Sequence, residues 1–109
     1  MTAADKLSLY KTGLDHYARQ EFEAAADAFS KALEIDPDFA DVHQALAHVW
    51  EKLGDFDAAL DSAKRAAELN PGDFLVHTSL SMFYQRKGMI AEAEASKARA
   101  AELQVQQGS

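Results

Sequence analysis

The 109-residue sequence contains no cysteine, only two prolines and only five glycines. Without cysteine the chain forms neither disulfides nor cysteine-ligated metal sites, and it has no thiolate nucleophile. Such a composition suits a reducing compartment, so we expect a cytoplasmic protein. Because proline and glycine are the residues that disfavour helices most, their scarcity leaves room for long uninterrupted helices.

Long apolar runs and an excess of positive charge are also missing. No stretch approaches the roughly 18 apolar residues of a membrane-spanning helix, and residues 1–10 lack the pattern of a signal peptide. The net charge is −7, and a field of that sign repels nucleic-acid phosphates and anionic lipids. We therefore expect no nucleic-acid or membrane partner. Hydrophobic residues still make up 48% of the chain, which is enough for a buried core.

Short motifs recur with a period of 34 residues. Pro37 and Pro71 each follow an Asp or Asn, and Gly54 and Gly88 have the same separation. Asp and Asn cap helices and Pro tolerates the first helical position, so we expect each pair to start a helix and each glycine to end one in a left-handed conformation. Alanines keep the period through three copies: Ala25, Ala59 and Ala93, and Ala32, Ala66 and Ala100.

Each period divides into two helical stretches. No segment alternates apolar and polar residues as a strand does, and good helix formers dominate. The sequence therefore predicts an all-α protein with helices near residues 4–19, 22–35, 39–53, 56–69, 73–87 and 90–106. A single domain would span residues 1–109, with repeats at approximately 6–39, 40–73 and 74–107.

This pattern resembles the tetratricopeptide repeat (TPR) family over essentially the whole chain. In the first helix of a TPR unit, a bulky residue precedes a small one, and an aromatic follows three residues after the small one. The corresponding residues here are Leu46-Ala47 with Trp50, Leu80-Ser81 with Tyr84 and, as a weaker match, Thr12-Gly13 with His16. The resemblance implies a right-handed superhelical solenoid of three helix-turn-helix units. It also implies a scaffold or adaptor that binds other proteins on the concave side formed by the first helices.

Small residues recur where the paired helices must approach closely. These residues are Gly13, Ala47 and Ser81 on the first helices and Ala25, Ala59 and Ala93 on the second helices. A larger side chain at these positions would push the helices apart. One repeat cannot bury its apolar face alone, so stacking of the repeats supplies the core.

Polar residues occupy the outer faces of the first and last helices. On the first helix this face reads Ser8, Lys11, Asp15 and Arg19, and on the last helix Lys97 takes the place of Phe29 and Ala63. Because terminal repeats need a polar outer face, we expect a complete three-repeat unit. The alternative is that Ala98, Ala101 and Val105 dock a further helix from another chain.

The first helix carries an apolar stripe separate from its core-facing side, and this stripe is expected to face the concave groove. The residues Leu7, Tyr10, Leu14 and Tyr17 are spaced three, four and three apart, so they form one continuous line on a helix. A peptide or helix of another protein would bind this stripe, together with Gln44, His48, Thr78, Met82 and Gln85. Two alternatives remain: a second copy covers the stripe in a homo-oligomer, or Tyr10 and Tyr17 pack internally.

Other kinds of site find no support in the sequence. Some TPR proteins clamp a C-terminal carboxylate with lysines and asparagines, but the matching positions hold Tyr10, Leu14, His48, Thr78 and Met82. We expect structural roles for His16, His43 and His77, and a hydrogen-bonding or pH-sensitive contact for His48. No phosphate loop, catalytic triad or zinc-type spacing is found. We therefore expect no enzyme, no cofactor and no metal.

Overall fold

The computed structural model describes residues 5–108, in which all regular secondary structure is α-helical. The helices are α1 (Lys6–Ala18), α2 (Phe22–Ile35), α3 (Ala40–Lys52), α4 (Phe56–Leu69), α5 (Phe74–Arg86) and α6 (Ile90–Gly108). The six predicted helices are confirmed, and their ends differ from the predicted ones by no more than two residues. Residue 4, which the sequence assigns to the first helix, lies outside the described residues.

Neighbouring helices pack on one another in chain order. The helices of each pair, α1 with α2, α3 with α4 and α5 with α6, make the largest contacts, and α2 with α3 and α4 with α5 join successive pairs. Helices α1 and α3 make a smaller additional contact. The result is an elongated solenoid of 48 × 32 × 22 Å, built from three helix-turn-helix units.

The Asp-Pro and Asn-Pro pairs end helices, so the prediction that they start helices is wrong. Asp36 and Asn70 are the C-terminal caps of α2 and α4, while α3 and α5 begin only at Ala40 and Phe74. The residue before a proline is disfavoured in the helical conformation, so each pair stops one helix before the next can begin.

The first of these turns is fastened to α1 by an ion pair. Lys6 Nζ donates to Asp36 Oδ2 at 2.7 Å, and the backbone N–H of Asp38 donates to Asp36 Oδ1 at 3.1 Å. The hydrogen bond from Lys6, followed by the one from the Asp38 backbone, lowers the pKa of Asp36 below its ordinary value. The carboxylate is therefore charged at neutral pH and available to both donors.

Histidines fasten both turns between repeats. The Nε2 atoms of His43 and His77 lie 2.8 and 3.0 Å from the carbonyl oxygens of Pro37 and Pro71, respectively. Each ring therefore donates a hydrogen bond across its turn, as expected of structural histidines. In the first repeat, His16 Nδ1 lies 2.7 Å from Glu21 Oε1 and joins the end of α1 to the start of α2.

The turn inside each repeat contains one residue in the left-handed conformation. Gly54 and Gly88 have φ angles of +84° and +76°, which confirms their predicted role as helix ends. The equivalent residue of the first repeat is Gln20, with φ +64°. An L-residue with a Cβ is strained in this conformation, whereas glycine is not.

The core depends on one very close approach inside the first repeat. Phe29 of α2 is fully buried, and its ring lies against the backbone of Gly13 on α1. A Cβ added to Gly13 would lie 2.4 Å from Phe29 Cε1, closer than real contacts allow. The prediction that Gly13 permits close packing is therefore confirmed.

We expect Gly13→Ala to lower the free energy of unfolding by about 1–2 kcal/mol. Overpacking a core costs roughly 1–3 kcal/mol, and alanine recovers up to about 1 kcal/mol of helix propensity. Denaturant unfolding followed by circular dichroism measures the change. Gly72→Ala is the matched control, because a Cβ there meets nothing within 4 Å. In a Phe29→Leu background the cost should shrink, and an unchanged cost would contradict this contact.

We expect Gln20→Gly to raise the free energy of unfolding by roughly 0.5–1 kcal/mol. Relief of the left-handed strain contributes about 1–2 kcal/mol, and the greater freedom of glycine in the unfolded chain offsets about 0.4–1 kcal/mol. The reverse change at the equivalent place, Gly54→Gln, should lower stability by a similar amount in the same unfolding assay. Equal stability of all three proteins would show that Gln20 carries no strain.

Candidate functional site

The structure divides the apolar stripe of α1 into two exposed leucines and two half-buried tyrosines. Leu7 and Leu14 are 56% and 41% exposed. The ring of Tyr10 lies 5.3 Å from that of Phe39 and 6.1 Å from that of Phe29. Tyr17 packs edge-on against Phe22 at 5.5 Å. Internal packing therefore accounts for part of the surface of both tyrosines, but it leaves both leucines available.

An open cleft adjoins Leu14 on the surface formed by α1 and α3. It has a volume of about 150 Å³ and is lined by Leu14, Tyr17, Phe29, Ala45 and His48. Apolar cavities of roughly this volume hold a benzene-sized group. The cleft therefore has the size and the lining to receive one apolar side chain.

His48 forms one wall of this cleft and also belongs to a polar cluster between α3 and α5. Gln44 Nε2 donates to Ser79 Oγ at 3.0 Å, and His48 Nε2 lies 3.4 Å from both Gln44 Nε2 and Ser79 Oγ. On the other side of the ring, His48 Nδ1 lies 3.7 Å from Glu51 Oε1. The rings of His48 and the buried Phe83 are also in a T-shaped arrangement, with their centroids 5.9 Å apart.

Gln44 therefore has a different position from the one the sequence suggested. Its amide nitrogen is bonded to Ser79, and its carbonyl oxygen is buried with no hydrogen-bond partner. Gln44 consequently supports His48 from below the surface and does not offer its amide to a bound segment. Helices α3 and α5 are close enough here to bury the Gln44 carbonyl oxygen and Ser79.

Three other predicted contact residues lie together at the far end of the same surface. Thr78, Met82 and Gln85 line a second depression of about 350 Å³, together with Lys97 and Gln104 of α6. The hydroxyl of Thr78 already donates to the Phe74 carbonyl at 3.0 Å. Most of the predicted site residues thus fall into two places, the apolar cleft with Leu14, Tyr17 and His48 and this second depression with Thr78, Met82 and Gln85. Leu7 and Tyr10 lie further along α1.

Ala45 and Ser79 were not predicted as site residues, although the repeat pattern of the sequence indicates them. The 34-residue period aligns Tyr10 with Gln44, Leu14 with His48, and Ala45 with Ser79. At the junction of α1 and α3 the three residues are Tyr10, Leu14 and Ala45, which form an apolar set. At the junction of α3 and α5 they are Gln44, His48 and Ser79, which form a polar set. Comparing the two junctions would have indicated Ser79 as the partner of Gln44 and His48.

Metal ligation and membrane spanning receive no support within residues 5–108. No group of three or more His, Asp or Glu side chains in that range is arranged to hold a metal ion. No helix in that range combines the length and the apolar character needed to cross a bilayer.

The tetratricopeptide repeat family model matches residues 16–82. The chain belongs to the tetratricopeptide repeat family. This match lies within the solenoid formed by α1 to α6, and it agrees with the three-unit architecture. No curated protein shows significant sequence similarity to the chain.

Solved structures with the same fold include MamA and a TPR of Spaghetti (RPAP3). One MamA structure has a TM-score of 0.93 at 24% identity, with 96% of this chain and 61% of MamA covered. Another has 30% identity and a TM-score of 0.82, with coverages of 90% and 58%. The first TPR of RPAP3, bound to the HSP90 peptide SRMEEVD, has a TM-score of 0.88 at 19% identity, with coverages of 94% and 82%. The chain thus spans about three fifths of the MamA chains.

The environment of Tyr10 leads to a prediction for its titration. Burial, followed by the charge of Asp41, raises the pKa of the Tyr10 phenol above its ordinary value of 10.0. The contribution of this group to stability is therefore fully present below that value and is lost as the pH rises through the folded pKa.

In an absorbance titration of tyrosinate, Tyr10→Phe should remove an ionisation step that lies above the ordinary tyrosine pKa of 10.0. Asp41→Asn should move that step to lower pH, because it removes a nearby negative charge. Tyr84→Phe is the matched control and should leave this step in place. A step above 10.0 that survives Tyr10→Phe unchanged would show that Tyr10 is not held as described.

Proposed function

We propose that the chain is a protein-interaction module whose concave surface binds a peptide or helix of another protein. The observation that carries the proposal is the pairing of two exposed leucines, Leu7 and Leu14, with a cleft of side-chain size beside Leu14. Exposed apolar surface next to a formed pocket is typical of contact sites, where one buried anchor contributes most of the affinity.

The anchor of the partner would be an apolar side chain such as leucine or phenylalanine. It would enter between Leu14 and Tyr17, contact Phe29 and Ala45, and displace water from a lining that is almost wholly apolar. Each fully buried side chain of this kind contributes roughly 1.5–3 kcal/mol of transfer free energy. Thr78 and Gln85, which line the depression at the far end of the surface, would bond the polar parts of the same segment.

The RPAP3 structure is a precedent for peptide binding by this fold. Its first TPR has the same fold and holds the peptide SRMEEVD. The present chain lacks lysine or asparagine at Tyr10, Leu14, His48, Thr78 and Met82. We therefore propose recognition through an apolar anchor and not through a clamped carboxylate.

Self-association is the second candidate, because the same exposed leucines could be covered by a second copy. Light scattering over a range of protein concentrations separates the two functions. A mass equal to one chain at all concentrations favours binding to another protein. A dimer that Leu7→Ser with Leu14→Ser disrupts favours the homo-oligomer.

The cleft itself is tested with N-acetyl-L-leucinamide, which presents a leucine side chain without a partner. We expect its titration to shift the methyl NMR signals of Leu14 and Ala45, because both residues line the cleft. Leu14→Ser should abolish the Ala45 shift. Ile35→Ser is the matched control, because Ile35 is similarly exposed at 52% but lies at the end of α2. Shifts that are absent, or spread over the whole surface, would remove the basis of the proposal.

A further inference from the structure

His48 contributes its ring to a cleft lining that is almost wholly apolar, and its two ring nitrogens lie against groups that favour opposite charge states. On the Nε2 side lie Gln44 Nε2, which carries only donor hydrogens, and the Ser79 hydroxyl, each at 3.4 Å. On the Nδ1 side lies the Glu51 carboxylate at 3.7 Å. Donors favour a ring nitrogen with a lone pair, whereas a carboxylate favours a ring that carries a proton and a positive charge.

The buried carbonyl of Gln44 determines which way its amide points. As it stands, one carbonyl oxygen is buried without a partner. Reversing the amide would place the two N–H donors of the amino group in that same enclosed position, where they would lack acceptors. Unsatisfied buried groups each cost about 1–3 kcal/mol, so the orientation with the amino group towards His48 is favoured.

The orientation of the Gln44 amide favours one tautomer of the neutral ring. The Gln44 amino group favours a lone pair on Nε2 and the proton on Nδ1, and the Ser79 hydroxyl, which can donate as well as accept, is compatible with this form. The Nδ1–H then points towards Glu51. In this state Nε2 accepts from the Gln44 amino group, Nδ1–H faces the Glu51 carboxylate at 3.7 Å, beyond hydrogen-bond distance, and an uncharged imidazole forms part of the cleft wall.

Adding a proton to Nε2 disturbs the contact of the His48 ring with Gln44 and strengthens its attraction to Glu51. The new N–H opposes the Gln44 amino group, so either the amide reverses or the ring turns. At the same time the positive ring gains the attraction of Glu51, whose side chain is only 16% exposed and forms no other ion pair within residues 5–108. The two charge states are each stabilised by one neighbour, as in a two-state switch.

Within residues 5–108, the groups that surround the ring come from four helices. Around the ring, α1 contributes Leu14 and the phenol of Tyr17, and α2 contributes Phe29. Helix α5 contributes Ser79 and Phe83. On α3 itself the charged neighbours are Glu51 and the exposed Lys52, which follow His48 by three and four residues. Histidine is the side chain whose charge ordinarily changes between about pH 5 and pH 8.

We propose that protonation of His48 weakens the binding of an apolar side chain in the cleft, so that the module releases its partner as the pH falls. This inference rests on the proposed function. A charged ring in the wall must be desolvated when an apolar group enters, whereas a neutral ring presents less of an obstacle. The switch and the anchor site share one residue, so no longer-range coupling is needed.

The test is a titration of N-acetyl-L-leucinamide at about pH 8 and at about pH 5, with the Ala45 methyl signal as readout. We expect roughly tenfold weaker binding at the lower pH, which corresponds to a difference of about 1.4 kcal/mol. Equal binding at both pH values overturns the switch and leaves the cleft intact. Absence of binding at either pH overturns the proposed cleft and with it the switch.

Three variants assign any pH dependence to His48. His48→Phe should bind the probe equally at both pH values, and His77→Gln, the matched control, should keep the dependence of the original protein. Gln44→Glu places an acceptor beside Nε2 and should move the midpoint of the response to higher pH, which keeps the test valid if His48→Phe does not fold. A dependence that persists in folded His48→Phe overturns the proposal.

The tautomer gives an independent readout. Nitrogen-15 shifts of the His48 ring at about pH 8 should show the proton on Nδ1, because Nε2 faces the Gln44 amino group. In Ser79→Ala the Nδ1–H form should persist, because Gln44 still donates. A ring that carries its proton on Nε2 at this pH would overturn the arrangement on which the switch depends.

Discussion

The close approach of the two helices within each repeat is the constraint on which the rest of the structure depends. In the first repeat the space is divided between Gly13 and the fully buried Phe29. At the equivalent positions the second repeat has Ala47 and Ala63, and the third has Ser81 and Lys97. Between the first and second repeats the residue on the first helix grows from glycine to alanine while its partner shrinks from phenylalanine to alanine, as close packing requires, whereas Lys97 of the third repeat is exposed. Trp50 of α3 fills the remaining space and packs against both core clusters, which connects the repeats.

Much of the fold could be predicted because it follows from local spacing. The 34-residue period, the helix-ending glycines and the small residues each act within one repeat, so the sequence alone reveals them. The Asp-Pro and Asn-Pro pairs misled the prediction because Asp and Asn suit both ends of a turn. What decides between the two roles is the restriction that proline places on the preceding residue, which is stronger than a capping preference.

The candidate site could be predicted in outline and not in detail. Helical spacing correctly placed Leu7, Tyr10, Leu14 and Tyr17 on one line of α1. It did not reveal how far the tyrosine rings turn towards the core, because that depends on Phe22, Phe29 and Phe39, which belong to other segments. Likewise, the bond between Gln44 and Ser79 joins residues 35 positions apart. Only packing of α3 on α5 brings these two side chains together.

The contrast between the two junctions argues that the polar cluster serves more than stability. A stack built for stability alone would repeat the apolar set of Tyr10, Leu14 and Ala45 at the second junction. The residues found there, Gln44, His48 and Ser79, depend on one another, because removing one leaves buried polar groups of the others unsatisfied at about 1–3 kcal/mol each. Even the intact cluster leaves the Gln44 carbonyl unpaired. A junction that gives up apolar burial for a partly satisfied network agrees with the proposed role of the partly exposed His48 ring, which lines the cleft.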